Sequence, residues 1–409
     1  MMEDKKKNVN FYFFIYVFTL IFFGIFFLYS KHEVGNDSSL SDWLINYSGG
    51  FVRRGIIGEL SVSISKLFLI NLRDSILIIQ IIVFSSYYLL VFKFFKNIIF
   101  ERIFVLAILS PIFILYPVAE IEVLGRKELF VFLIFILYLF SKIENILNQL
   151  IFKLILFPLS VLIWEPVIIF FTYVFLIELI IFKIKKTDKK FLLLLLSYSI
   201  TIFAVFFVYL NPITEQDYLI MKNFLINDFN EKCYMSCSFV GTQSSNSFFE
   251  LLNNNSNKFK LLYFFRYFFI ILFGFLPLII LLKNSKFKSN YQDLLFLSKF
   301  KNLFLPFLII FAPSIILYLL MYDWARIVHI SYTFTLLSFF WMIKNNIIAI
   351  DFNYSIFSNL NKISKKFFIL IFIVFCLGWN PKVVISDDIA SKPIYATPYK
   401  FYKYFIKAN

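Results

Sequence analysis

The sequence has only two histidines, His32 and His329, among its 409 residues. This scarcity argues against a histidine-based metal centre, because imidazole is among the commonest zinc ligands in proteins. Cysteines are also few: Cys376 lies in an apolar run, while Cys233 and Cys237 lie together in the longest polar segment. Neither a GxGxxG motif nor a GxxxxGK[ST] phosphate loop occurs. We therefore expect no bound metal and no cofactor.

Charged residues make up only 16% of the chain, and 60% of it is hydrophobic, with 60 phenylalanines. Soluble domains are roughly 45–50% apolar, so this composition is typical of a membrane protein. The net charge of +15 would suggest nucleic acid in a soluble protein. In a membrane protein, lysine and arginine instead mark the cytoplasmic loops, and we expect membrane lipid rather than nucleic acid as a partner.

The apolar runs predict an all-α fold, a polytopic transmembrane helical bundle of about 11 spans that forms a single integral membrane domain over residues 1–409. Glu59 and Lys66 interrupt residues 56–72, so we predict a re-entrant or interfacial helix there. If that segment spans instead, every later segment changes sides. The predicted spans are 11–30, 75–92, 103–118, 129–141, 151–164, 167–182, 191–210, 261–282, 303–321, 331–343 and 367–379.

The distribution of lysines predicts the orientation. The basic segment MMEDKKKNVN precedes the first span, and KIKKTDKK follows the sixth, which places the N-terminus and these loops in the cytoplasm of a bacterial inner-membrane protein. The first span has no small-residue cleavage site after it and is interpreted as an uncleaved anchor. The periplasmic side then holds a first loop 31–60, a large loop 211–258 and a C-terminal tail 380–409.

The first periplasmic loop contains SGGFVRRGIIGEL, residues 48–60, with two adjacent arginines on the side where the charge rule disfavours them. Three other outside connections, YPVAEIEVLGRKE, WEP and YDWARIVHI, also carry ionisable residues. Juxtamembrane charges of this kind are candidates for function. The residues expected on this face are Asp37, Asp42, Arg53, Arg54, Glu120, Glu122, Arg126, Lys127, Glu165, Asp323, Arg326 and His329.

Arginine suits bidentate capture of phosphate oxygens, and Gly49, Gly50 and Gly55 would let the backbone approach a ligand. Simpler interpretations stay open for each. The two arginines of the first loop could snorkel to lipid phosphates. Asp323 and Arg326 could form an i,i+3 ion pair. Glu165 and His329 could belong to ordinary helix ends, and the acids at 120 and 122 could be solvated. Cys233 and Cys237 are either a disulfide, as the oxidising side favours, or two free thiols.

A site outside the cytoplasm cannot use cytosolic nucleotide sugars or ATP, but it can use a lipid-linked sugar presented in the bilayer. Transfer of that sugar needs a base for the acceptor hydroxyl and cations for the leaving phosphate. Candidate bases are Asp323, Glu122 and Asp42, with His329 as an alternative proton acceptor. Glu165 would orient a sugar hydroxyl or an arginine.

With its span number, its one sizeable outside loop and its juxtamembrane arginines, the chain resembles bacterial O-antigen polymerases of the Wzy type. The resemblance covers the whole chain and depends on architecture and composition, and the chain departs from it in having one large outside loop rather than two. It implies polymerisation of undecaprenyl-diphosphate-linked repeat units, with a chain-length regulator protein as a partner. By residue type and side, the diphosphate-binding candidates are Arg53, Arg54, Arg126 and Arg326.

Two alternatives remain. GT-C transferases, which add single sugars from a polyprenyl-phosphate donor, are similar in placing an acid in the first outside loop. Asp37 or Asp42 would then be catalytic, and carboxylates could hold a divalent metal. A flippase for lipid-linked sugar would instead distribute charges through the spans and contain internal repeats, and neither pattern is evident.

Overall fold

The computed structural model describes residues 2–34, 38–98, 101–184, 189–243, 259–291, 300–352, 355–384 and 390–391. Within these ranges the protein is mostly helical and has almost no sheet. Ten helices precede residue 185: α1 Met2–His32, α2 Ser38–Trp43, α3 Gly55–Phe68, α4 Leu72–Phe95, α5 Arg102–Ile108, α6 Tyr116–Ala119, α7 Glu128–Phe140, α8 Ile146–Ile151, α9 Phe157–Ile163 and α10 Phe171–Ile181.

Ten more helices lie in the described part of the second half. They are α11 Lys189–Leu196, α12 Ser199–Leu210, α13 Glu215–Phe229, α14 Ser236–Gln243, α15 Leu261–Lys283, α16 Phe304–Phe311, α17 Ile315–Leu320, α18 Trp324–Lys344, α19 Ser355–Lys362 and α20 Lys365–Phe372. Two short antiparallel pairs accompany them: β1 Ser285–Phe287 with β2 Ile348–Ile350, and β3 Asn380–Pro381 with β4 Ala390–Ser391.

Six helical segments in the described ranges are long and apolar enough to cross a membrane, because about 20 apolar residues span the hydrocarbon core. The chain is an all-α helical membrane protein. The six segments are Asn8–His32, Leu72–Phe95, Ile146–Ile163, Lys189–Leu210, Leu261–Lys283 and Trp324–Lys344.

The other five predicted spans are shorter or interrupted. Residues 103–118 contain α5, a run of turns that includes Pro111, and the start of α6. A 3-10 turn, Ala312–Ser314, separates α16 from α17. Backbone breaks at membrane depth are tolerated where protein buries them, and residues 103–119 are nearly all buried. The count of 11 spans therefore stays a prediction.

Helix α18 lies in the middle of the bundle. Every residue from Trp324 to Met342 is buried, so the helix contacts protein on all sides rather than lipid. Phe340 packs edge-on against Phe95 at a ring distance of 5.3 Å and against Phe104 at 5.2 Å. Such pairs add about 0.5–1.5 kcal/mol each beyond the area they bury. The residues that α18 carries are thereby held rigidly.

The segment predicted as re-entrant or interfacial forms α3, a helix of 14 residues. At 1.5 Å per residue this length is too short to cross a bilayer. Ile57 and Val62 are buried on one side, whereas Leu67 and Phe68 at the C-terminal end are 75% and 66% exposed. An amphipathic helix between the two spanning helices α1 and α4 fits an interfacial position.

Candidate functional site

Ionisable side chains from four connections meet at one end of the bundle. Each connection immediately precedes or follows a helix, so the rigid helices fix where these side chains lie. We refer to the group as the acid–arginine cluster. It comprises Asp42, Arg53, Arg54, Glu122, Arg126, Lys127, Glu128, Glu165, Asp323 and Arg326.

An ion pair between the first loop and the connection after α9 forms one side of the cluster. Arg54 Nε donates to Glu165 Oε2 at 2.7 Å, and Arg54 Nη2 donates to Oε1 at 2.8 Å. Arg53 Nη1 lies 3.9 Å from the same carboxylate. Burial alone would raise the pKa of Glu165, but the charge of Arg54 and its hydrogen bonds lower it overall. Glu165 is thus the hydrogen-bonded partner of Arg54.

The backbone of Arg54 is in the left-handed region, with φ 63° and ψ 10°, directly before α3. That conformation costs a non-glycine residue roughly 1 kcal/mol or more and persists only where surrounding contacts impose it. The Arg54 carbonyl accepts a hydrogen bond from Lys127 Nζ at 2.6 Å, and its guanidinium is held by Glu165. These contacts from two distant connections fix the turn.

A buried pair, Asp42 and Lys127, lies at the centre of the cluster. Lys127 Nζ is 4.0 Å from Asp42 Oδ1, and the two side chains are only 0% and 4% exposed. Burial lowers the pKa of Lys127 to about 8, although the charge of Asp42 opposes this change. Burial alone would raise the pKa of Asp42. The positive charges around it outweigh this effect and lower the pKa overall; in order of size they are those of Lys127, Arg54, Arg126 and Arg326.

Asp42 is therefore an ionised carboxylate in a strongly positive environment. Within the described residues, its Oδ1 is buried and has no hydrogen-bond partner. A buried acceptor without a partner costs about 1–3 kcal/mol, and more when it is charged. A buried group of this kind is a candidate for a functional role.

Arg326 connects two carboxylates on the other side of the cluster. Its Nη1 donates to Asp323 Oδ2 at 3.1 Å, and its Nη2 donates to Glu128 Oε1. The expected i,i+3 ion pair is present, but it shares Arg326 with an acid from a distant helix. Burial raises the pKa of Asp323, a change that Arg126 opposes and Glu122 reinforces.

Two predicted site residues lie away from the positions that their roles require. His329 is one turn further along α18, 2% exposed, and its Nδ1 is 2.9 Å from the Ile112 carbonyl oxygen. A Cβ at Gly49 would lie 2.0 Å from the Asp217 carbonyl oxygen of α13. The close approach that Gly49 permits is therefore to another part of the chain rather than to a ligand. Gly50 has φ +121°, a conformation that side chains rarely adopt.

The described part of the large loop packs over the first loop. Cys233 and Cys237 form a disulfide, and Ser236 N donates to Ser41 Oγ at 3.2 Å. Arg73, near the start of α4, pairs with Glu231 through two hydrogen bonds. Residues 211–243 are thereby held against α2, the helix that carries Asp42. Asp37 and most of the tail 380–409 lie outside the described residues.

Two cluster members were missed as site residues by sequence reasoning. Lys127 was expected only to share the face, and Glu128 was not considered. Both residues belong to the stretch GRKE. There Glu128 is the first residue of α7, and its negative charge interacts favourably with the positive end of the helix dipole. Their partners, Asp42 and Arg326, are remote in sequence. Among the described residues, no three histidine, cysteine or carboxylate side chains are grouped as metal ligands.

No protein-family model, curated protein or solved structure matches this sequence.

Proposed function

We propose that the protein is a membrane glycosyltransferase that uses a sugar donor linked to a polyprenyl phosphate. One observation carries the proposal: Asp42 is a buried carboxylate whose pKa is lowered by the surrounding lysine and arginines, and whose Oδ1 accepts no hydrogen bond from the described residues. A base and a phosphate-binding charge are the two requirements of this reaction. Asp42 and its neighbours supply both within one cluster.

In the proposed reaction, the acceptor hydroxyl attacks the anomeric carbon of the donor sugar. The acceptor O–H bond breaks and its proton passes to Asp42 Oδ1, while the bond between the anomeric carbon and the phosphate oxygen breaks. The electron pair of that bond stays with the phosphate, which leaves with additional negative charge. Lys127, 4.0 Å from Asp42, helps to keep the base ionised before the transfer.

Arg53 is our candidate for contact with the leaving phosphate. Its side chain is 36% exposed, whereas that of Arg54 is 23% exposed and hydrogen-bonded to Glu165. Arg54 and Glu165 then act as positioning residues, because they fix the turn that carries Arg53. Arg126 and Arg326 contribute positive potential at Asp42.

The proposal includes a GT-C-like bundle of 11 spans in the bacterial inner membrane, with the cluster on the periplasmic face. The lysine-rich connections at the opposite end support this orientation through the positive-inside rule. Reporter fusions at residues 50 and 188 test it. An alkaline phosphatase fusion should be active at 50 and inactive at 188, and the reverse pattern would exclude a periplasmic site.

Polymerisation of undecaprenyl-diphosphate-linked O-antigen repeat units is the second candidate. Its specific support is that cations from three connections, Arg54, Arg126 and Arg326, act on one carboxylate, an arrangement that suits a diphosphate. The position of Asp42 in the first outside loop favours single-sugar transfer. A chain-length regulator would be a partner only in the polymerase case.

A gel of surface polysaccharide from a deletion strain distinguishes the two candidates. The strain is complemented with the wild type, Asp42→Asn or Asp74→Asn. Asp74 is a matched control, since it is 43% exposed and pairs with His32 outside the cluster. Asp42→Asn should match the empty strain while Asp74→Asn restores the wild-type pattern, with both proteins at equal abundance.

A full ladder of changed mobility in the deletion strain would indicate single-sugar transfer, and collapse to core plus one repeat unit would indicate polymerisation. Complete loss of the glycan would favour a flippase or an early assembly step. A normal ladder in the Asp42→Asn strain would exclude Asp42 as the base.

A further inference from the structure

A small cavity with a mainly apolar wall lies beneath the acid–arginine cluster, where the start of α7 faces the start of α18. Its wall includes Glu128, Arg326 and His329, each less than a tenth exposed. The space open to the centre of a water molecule is about 10 Å³. A volume of roughly 10–15 Å³ by this measure holds one water. Nothing larger than a single small molecule fits.

Each of these three side chains has one buried polar atom with no hydrogen-bond partner among the described residues. The atoms are Glu128 Oε2, Arg326 Nε and His329 Nε2. Leaving a buried polar group unpaired costs about 1–3 kcal/mol. All three residues line this one cavity, so their unpaired groups favour a polar occupant.

The hydrogen-bonding roles of the three atoms define that occupant. His329 Nδ1 lies 2.9 Å from the Ile112 carbonyl oxygen, which can only accept, so Nδ1 is the donor. A neutral imidazole that donates from Nδ1 accepts at Nε2. The Glu128 carboxylate oxygen also accepts, and Arg326 Nε can only donate. The occupant must therefore donate twice and accept once, which a single water molecule does.

We propose that this cavity is a water-binding site and that His329 is a positioning residue for Arg326. The water donates to His329 Nε2 and Glu128 Oε2 and accepts from Arg326 Nε. It thereby fixes the guanidinium, whose Nη1 donates to Asp323 at 3.1 Å and whose charge acts on Asp42. His329 lies one turn beyond Arg326 on α18 and acts through this water.

The water site is tested directly by an electron-microscopy map of the wild type in nanodiscs, at a resolution that shows ordered waters. Density within hydrogen-bond distance of all three atoms is the expected result. A dry cavity, or one closed by direct contact between the side chains, would overturn the site. This test does not depend on the proposed function.

The positioning role rests on the proposed function and is tested by His329→Gln and His329→Asn. Glutamine places its amide near the Nε2 position and should keep the water, whereas asparagine reaches only the Nδ1 position and keeps the bond to Ile112. We expect His329→Asn to raise KM for a polyprenyl-phosphate sugar donor roughly tenfold, the equivalent of about 1.4 kcal/mol. His329→Gln should restore most of the loss.

Equal activity of the two His329 variants, with Asp42→Asn inactive, would refute the positioning role and leave the proposed function intact. An active Asp42→Asn enzyme would refute the proposed function and leave the water site standing. If His329→Asn does not fold, the wild-type map still decides the site, and wild-type activity in His329→Leu would overturn the positioning role.

Discussion

The buried ammonium of Lys127 should make the stability of the protein depend on pH in a specific way. Its pKa is about 8 in the folded state against 10.5 for an ordinary lysine. Between these two pH values the unfolded chain holds the proton and the folded chain does not. Stability therefore rises with pH across this window, because the unfolded state binds more protons there. Below about pH 8 both states are protonated and the full cost of burying the charge applies.

The size of the effect follows from the change in pKa. One pKa unit corresponds to about 1.4 kcal/mol, so the change from 10.5 to about 8 corresponds to a cost of about 3 kcal/mol, as an order of magnitude. Lys127→Met removes this cost. The free energy of unfolding of the wild type, relative to Lys127→Met, should therefore rise by about 3 kcal/mol between pH 8 and 10.5.

The assay is reversible unfolding in mixed micelles, followed by tryptophan fluorescence at half-unit pH steps for both proteins. Comparing the two cancels the tyrosines and other lysines that titrate in the same range. Asp42→Asn provides an internal check: it removes a charge that raises the pKa of Lys127, so the rise should begin at lower pH. Parallel curves for wild type and Lys127→Met across the window would refute the reasoning.

Three further predictions concern the contacts around the cluster. Glu165→Gln should lower the free energy of unfolding by about 3 kcal/mol, because it leaves the Arg54 charge partly buried without its partner. The double variant Arg54→Gln/Glu165→Gln should be destabilised by less than the sum of the two single variants. Simple additivity in denaturant unfolding would contradict the pairing. Replacing Cys233 and Cys237 by serine should weaken the docking of the large loop by about 2 kcal/mol, because the undocked loop gains conformational entropy without the disulfide. Limited proteolysis near α14 should then be faster. An unchanged rate would argue against this role of the disulfide. Gly49→Ala should lower the free energy of unfolding by about 1–3 kcal/mol, because the added methyl group overpacks against α13 and displaces it. Gly50→Ala provides the comparison, because there the expected destabilisation comes from the positive φ of the backbone.

Much of the fold follows from composition and periodicity, whereas the pairings in the cluster do not. Long apolar runs such as Leu72–Phe95 can be located because their length matches the bilayer. A disulfide between Cys233 and Cys237 is the pairing that the oxidising side of the membrane favours, and the structure contains it. These features depend on neighbouring residues only, which a single sequence displays directly.

The partners of individual charges depend on how remote connections pack. Nothing in the sequence marks Glu128 for a remote partner, and its contact with Arg326 brings together two segments far apart in sequence. Gly49 looked suited to a ligand because glycine permits close approach, but sequence does not specify what approaches, and α13 takes that place. Interrupted runs such as residues 103–118 are ambiguous for a related reason, since only tertiary burial makes a break acceptable.

The central position of α18 has a consequence for how the protein is made. Asp42 and Glu128 are synthesised long before Arg326, which α18 brings to the cluster as one of its last members. Until that helix inserts, Glu128 lies in an apolar environment without its arginine, a state that costs several kcal/mol. The ion pair between Glu128 and Arg326 can form only after α18 has been synthesised, so the cluster is completed late.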